Sequence, residues 1–385
     1  MKANFSKRRN VQALLRGLFF SSFSVAILSF FLPLFLKERG LTALQIGGLF
    51  SVGVAVGTFL FAFVFSRMLR RIKLRQGLVS SAILNFVQIF SVFIFPSSGG
   101  ALLSKITNVP QKQISSISID STMQHNVVKG KEREGSISWG LSDSFGLIFG
   151  IIIAMISINY LGFLSSFFIF SMISLSSLFF YSKVNDDTRF KPKRSVSKKA
   201  PLSTRIKLLI FTEVIYWFVL SASFALVVTF LVSDKLSGGI FELGILFVIL
   251  YVFMNVGLYF TKYRLRNFHD SILSIFGMLF LLISAVIVVL SNNLYIVVIA
   301  FIFEGLGAGI WVPAKTSLQW KNTKKENREI VAGYLSGWRG FVQALGPLAG
   351  GFLITRFNVN YPFYLKIFIS LICLGVYLYI WRKWK

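Results

Sequence analysis

The chain has 385 residues, 55% hydrophobic, 16% aromatic and 14% charged, with a formal charge of +27 and a mean hydropathy of +0.71. So apolar a composition lies outside soluble globular averages and excludes a water-soluble core. The basic residues lie in short gaps beside apolar stretches, where they set orientation and meet anionic lipid headgroups, so nucleic acid is not an expected partner.

In chain order, Lys2, Lys7, Arg8 and Arg9 precede a long apolar run with no small-residue cleavage site after it, so the run reads as a retained first span. Twelve apolar stretches of membrane-spanning length then follow, at 11–36, 43–65, 77–95, 100–123, 135–158, 161–181, 206–231, 240–260, 272–290, 294–313, 330–354 and 361–381. Residues 182–205 are polar and basic, with Pro192 and Pro201, and read as a flexible cytosolic linker.

Alternate gaps hold Arg67, Arg70, Arg71, Lys73 and Arg75, then Lys129, Lys131 and Arg133, then the linker, then Lys262, Arg264 and Arg266, then Lys315, Lys321, Lys324, Lys325 and Arg328. The opposite gaps hold only Lys37, Arg39, Lys235 and Arg356. This asymmetry predicts that both termini are cytosolic in a multi-pass protein of the cytoplasmic membrane. The fourth span is too polar for hydropathy alone, with Lys105, Asn108, Gln111, Lys112, Gln113 and Asp120, but without it every later basic loop would change sides.

The pattern repeats once. Leu74-Arg75 matches Leu265-Arg266, and Arg133-Glu134 matches Arg328-Glu329, at offsets of roughly 190–200 residues, about half the chain. Glycine pairs four apart, Gly53/Gly57, Gly146/Gly150, Gly333/Gly337 and Gly346/Gly350, mark faces where helices approach closely. The single Cys373 excludes an intramolecular disulfide. His125 and His269 lack companions at ligand spacing, and no cofactor or metal is expected.

Ionisable residues inside spans cost at least about 2.5 kcal/mol each at the bilayer centre and are kept for a partner, a cavity or a function. They are Arg16, Lys105, Lys112, Asp120, Asp143, Glu213, Glu304 and Arg339, with Lys366 near the outer end of the twelfth span. Lys105, Asn108, Lys112, Ser115 and Ser116 share one helical stripe, with Asp120 roughly 60° away. Lys112 lies near the midplane and favours an anionic solute, unless it pairs permanently with Asp143 or Glu304. Trp311 follows Glu304 at a spacing of seven, and Tyr216 and Trp217 follow Glu213 at three and four.

Together these residues resemble the major facilitator superfamily, over essentially the whole chain. The stretch Gly305-Leu-Gly-Ala-Gly309 through Asn327-Arg328-Glu329 to Gly346-Pro-Leu-Ala-Gly-Gly351 is similar to that family's tenth-to-eleventh helix region. The family's loop signature survives only in its basic part, Arg67, Arg70 and Arg71, with Ala62 and Ser66 at the glycine and aspartate positions. The resemblance implies an all-α integral membrane protein of twelve transmembrane helices in two pseudo-symmetric six-helix bundles, 1–181 and 206–385. Helices one, four, seven and ten would line a central cavity.

The expected function is secondary active transport of a small anionic or zwitterionic organic solute by alternating access, coupled to protons. The expected substrate ligands are Lys105, Asn108, Lys112, Trp217, Glu304, Trp311 and Arg339. Glu213, Glu304 and Asp143 are the proton-coupling candidates, and Asp120, Arg67, Arg70, Arg71 and Arg133 the gating candidates. The expected partners are the solute, protons and membrane lipids, anionic on the cytosolic face, and the expected state is a monomer. The alternatives are a proton-linked exporter of lipophilic cations and, more remotely, a membrane enzyme or lipid-handling protein that translocates nothing.

Overall fold

Inside lipid the backbone has no outside partner for its N–H and C=O groups, and this chain satisfies them with helices. The computed structural model describes residues 2–65, 73–126, 132–184, 203–323 and 328–383; the side chains of 2–8, 65, 120–126, 132–137, 320, 328–334 and 336 also stand outside that description. The chain divides into two compact units. The first comprises Met1–Arg39 with Val52–Arg194, and the second Gly40–Ser51 with Ser195–Lys385.

The first unit contains α1 (Lys2–Ala26), which runs through a π-helical turn at Ile27–Phe31 into α2 (Leu32–Glu38). Helix α3 (Ala43–Leu60), ending in a second π-helical turn at Phe61–Phe65, is divided between the units. Next come α4 (Leu74–Ile94), α5 (Ser98–Asn126) and α6 (Glu132–Ser182). Helix α6 has 51 residues, too many for one crossing, and Gly162 breaks it at φ 76° and ψ 171°, a left-handed conformation that side chains disfavour. Both halves pack on α1: Phe149 meets Phe19, and Phe180 stacks on Phe20 with ring centres 5.4 Å apart.

The second unit contains α7 (Thr204–Ser223), α8 (Ala225–Phe230) with a π-helical turn at Leu231–Lys235, α9 (Ile240–Tyr263) and α10 (Asp270–Leu290). It is completed by α11 (Leu294–Asn322), α12 (Arg328–Arg356) and α13 (Tyr361–Lys383). The seventh expected span is therefore interrupted at Phe224, whose φ of −92° and ψ of −139° are not helical. At the far side, Lys235 Nζ donates to the Val288 carbonyl (3.1 Å) and to Asn360 Oδ1 (3.0 Å), capping the end of α10 and tying it to the turn before α13.

Among the described residues, nine helical stretches are long and apolar enough to cross a membrane, one of them the 45-residue stretch Ser138–Ser182. Helix α5 is not among the nine, although it is 29 residues long and fully helical through Pro110. Its Ser104, Gln111, Ser115 and Ser118 are buried inside the first unit, Lys105 and Asn108 are half-buried, and Lys112 is exposed.

One expectation needs correction. The tenth span does not stop at Pro313: α11 continues to Asn322 and carries Lys315, expected in a loop, into the interior at 4% exposure. Proline removes one N–H, but inside a helix bundle neighbouring groups cover the freed carbonyl, so the helix persists. Lys366 lies near the start of α13, at the end of the span where it was expected, and is also 4% exposed.

The glycine faces behave as expected at three pairs, and a Cβ on Gly53 or Gly57 would collide with Lys105 Cβ or the Ile106 carbonyl on α5. A Cβ on Gly146 or Gly150 would collide with the carbonyl oxygens of Phe19 and Phe23 on α1. On Gly346 it would meet the Ser221 hydroxyl, and on Gly350 the Ala222 carbonyl. These faces replace side chain with backbone contact, the main source of helix association in lipid.

Candidate functional site

In the second unit the buried polar chemistry gathers on Glu213, which α7 presents at 1% exposure. Lys315 Nζ on α11 lies 2.5 Å from Glu213 Oε1. The Arg339 guanidinium of α12 donates to the same oxygen through Nη2, and Gln319, one turn beyond Lys315, donates to Oε2. Trp217 Nε1, one turn along α7, donates to Oε1 at 3.2 Å. The indole rings flank the cations: Lys315 Nζ sits 4.7 Å from the Trp311 ring centre and Arg339 Cζ 4.9 Å from that of Trp217. One carboxylate thus faces two cations, in a setting where an unpaired charge would cost several kcal/mol, about 3–5 by analogy with broken buried pairs.

Three helices build this cluster by simple spacing. Trp311, Lys315 and Gln319 are four residues apart and share one face of α11, and Glu213 and Trp217 share one face of α7. Arg339 comes from α12 with its side chain 38% exposed, so the cluster opens on one side.

Glu304 is held separately. Lys366 Nζ of α13 lies 2.7 Å from both of its oxygens, and the pair borders a narrow cleft with Ser223, Phe224 and Ser284, beside the interruption between α7 and α8. Trp311 does not stack beside Glu304. It is 2% exposed, packs edge-on against Tyr216 at 4.7 Å, and donates its indole N–H to the Tyr377 hydroxyl at 3.1 Å.

The first unit holds its own polar interior. Asp143 on α6 accepts a hydrogen bond from the Ser22 hydroxyl of α1 and lies close enough to Lys112 for the two charges to interact. Lys105 feels Lys112 in turn, Lys112 is exposed, and Arg16 of α1 is exposed as well. An amide chain crosses the unit: Asn108 donates to Gln88 Oε1 (2.8 Å), Gln88 to Asn85 Oδ1 (2.5 Å), and Asn85 to the Ser24 hydroxyl (2.8 Å). Asn85, Gln88 and Ser24 have no exposed surface, so this chain is fully internal at its α1 end.

The structure therefore brings together Glu213, Trp217 and Arg339 in one place and Lys105, Lys112 and Asp143 in another. Asn108 belongs to the amide chain, and Glu304 and Trp311 are engaged with Lys366 and Tyr377. The side chains of Asp120 and Arg133, and Arg67, Arg70 and Arg71 altogether, lie outside the described residues. Sequence reading gave no site role to Lys315, Gln319, Lys366, Asn85 or Gln88. For the first two the signal was present as a four-residue spacing running on from Trp311. Among the described residues no group of three or more His, Cys, Asp or Glu could hold a metal ion.

Helices of membrane-spanning length with buried ion clusters describe a polytopic membrane protein. A family model of the Major Facilitator Superfamily matches residues 232–383. The chain is 25% identical to the proton-coupled antiporter flippase LtaA of Staphylococcus epidermidis, over 99% of this chain and 97% of the relative. It shares its fold with a bacterial homologue of the iron transporter ferroportin in an inward-facing state (TM-score 0.76, 17% identity, 96% of this chain and 98% of that one). It likewise matches the human organic anion transporter MFSD10 (TM-score 0.72, 15% identity, 96% and 99%). Residues 232–383 are thus similar to the Major Facilitator Superfamily and the whole chain is similar to transporters, which indicates a transporter rather than an enzyme.

Proposed function

We propose that this transporter moves an amphiphilic solute bearing an anionic or zwitterionic group across the cytoplasmic membrane by alternating access, coupled to protons. The observation that carries this reading is the cluster on Glu213, where Lys315 and Arg339 share one carboxylate and Arg339 remains 38% exposed. A surplus cation at an open edge attracts a negative group and repels a lipophilic cation. The first unit supports the same sign, with Lys105 and Lys112 against Asp143. The relatives named as proton-coupled antiporter flippases favour an amphiphile over a small hydrophilic solute.

Proton coupling falls to Glu213 and Asp143, each held by groups on a different helix, so that loss of charge loosens contacts between helices. Glu304 is a weaker candidate, because Lys366 meets both of its oxygens. The protein acts as a monomer with both termini in the cytosol, and its basic loops face anionic lipid.

The test is movement of fluorescent amphiphiles in liposomes holding the purified protein. A fluorescent 1-acylglycerol 3-phosphate should cross faster than in protein-free liposomes, and an imposed pH gradient should accelerate it. Preference for a cationic amphiphile, or indifference to the gradient, would contradict the reading.

A further inference from the structure

The donors around Glu213 outnumber what its oxygens accommodate. Lys315, Arg339 and Trp217 all direct N–H groups at Oε1, while Gln319 takes Oε2. A carboxylate oxygen offers about two lone-pair sites, so three donors on one oxygen is one too many. Arg339 Nε is buried and has no acceptor among the described residues, a further unspent donor at the same place. A tetrahedral oxyanion would spread these donors over three terminal oxygens and would match the guanidinium fork, the geometry for which arginine is suited.

We propose that the position held by Glu213 is a seat for a phosphate-class oxyanion, and that the Glu213 carboxylate is its tethered occupant, which the ligand displaces as Glu213 takes up a proton. The proposal rests on the anionic-solute reading and names its chemistry. Lys315 is the fixed half of the seat, since the Trp311 ring at 4.7 Å still holds its ammonium when Glu213 leaves. Arg339 is the reachable half, stacked on Trp217 and open on one side. The step balances as one anion bound and one proton taken up, leaving neutral Glu213 and two cations facing the ligand. The other ionisable groups near Glu213 are Tyr377, which feels its charge, and beside Tyr377 the Cys373 thiol, which donates to the Thr212 carbonyl on α7.

The experiment measures binding of inorganic phosphate, glycerol 3-phosphate and 1-acylglycerol 3-phosphate to the full-length protein in detergent between pH 5.5 and 7.5. Wild-type affinity should weaken by up to about tenfold per pH unit, the limit for one linked proton. Glu213→Gln should bind at least about tenfold more tightly at pH 7.5 and lose most of that pH dependence. Because Glu213→Gln leaves two cations without their carboxylate and could fail to fold, proton uptake by the wild type on adding ligand is measured in weak buffer, with close to one proton expected per anion bound.

If anions bind but Glu213→Gln binds no more tightly, or no proton is taken up, the tethered-occupant proposal falls while the anionic-solute reading stands. If none of the three binds and a lipophilic cation does, the anionic-solute reading falls and takes the proposal with it. Tighter binding of the acylated phosphate than of glycerol 3-phosphate supports the seat and assigns it to a lipid headgroup; equal binding supports it and assigns it to a free phosphate compound.

Discussion

Lys315 and Glu213 meet at 2.5 Å between two helices, with side chains 5% and 1% exposed. Neither has water to fall back on: Glu213 is held by Lys315, Arg339, Gln319 and Trp217, and Lys315 by Glu213 with the Trp311 ring beside it. Lys315→Met should therefore lower stability by about 1–3 kcal/mol, below the cost of fully orphaning a buried charge because Arg339 remains. Adding Glu213→Gln should recover part of the loss. Thermal unfolding in detergent of the two single variants and the double variant checks this as a double-mutant cycle, and additive losses would mean the pair is not coupled.

The Glu304–Lys366 pair should behave as a closed structural unit. Lys366→Met leaves Glu304 beside a narrow cleft with its cation gone, at a cost of about 3–5 kcal/mol, and Glu304→Gln with Lys366→Met should be markedly more stable than Lys366→Met alone. Thermal unfolding again reads this out, and a double variant as unstable as the single would show that Glu304 finds another partner.

Glycines at helix contacts and glycines in open space should part company. Gly150→Ala forces a Cβ into the Phe23 carbonyl and Ala26, and should destabilise by more than about 1 kcal/mol. Gly337→Ala meets nothing within 4 Å and should be neutral or slightly stabilising, since alanine favours the helix. Expression level and melting temperature of the two variants decide it.

How much of this was legible beforehand follows from what fixes each feature. Hydropathy and the basic gaps are one-dimensional signals, and they locate the helices, even polar α5, but not every end: α1 starts at Lys2 and α11 runs past Pro313 to Asn322. Gly162 shows where that reading is coarse, because only backbone geometry places the break two residues beyond the expected gap. The ion pairs depend on which helix faces which. Glu213 and Arg339 were visible as intramembrane charges, but Lys315, the second cation on Glu213, was hidden by treating Pro313 as a terminator. The amide chain through Asn85 and Gln88 escaped because a search for ionisable residues passes over neutral amides, which bury more cheaply.

That amide chain should matter to stability in the first unit. Asn85→Leu removes the link between Gln88 and Ser24 and takes the acceptor from the buried Gln88 amide N–H, costing about 1–3 kcal/mol. Asn108→Ala cuts the chain at its half-buried end, where water can substitute, and should cost less. The order of the two melting temperatures checks this, and the reverse order would place the functional weight at Asn108.

Orientation is open to a direct check, since Cys373 is fully buried and gives little labelling background. Cysteines introduced at Asn358 and Ser237 should react with a membrane-impermeant maleimide in intact cells, and one at Lys262 only after permeabilisation. Labelling in the opposite sense would invert the topology.

The most direct test of the account is proton movement accompanying transport in liposomes that trap a pH-sensitive dye. For the wild type, adding a fluorescent 1-acylglycerol 3-phosphate should change the internal pH in step with its translocation. In Glu213→Gln the amphiphile should still cross while the linked pH change disappears. A Glu213→Gln variant that moves protons with its solute as the wild type does would contradict the assignment of coupling to Glu213.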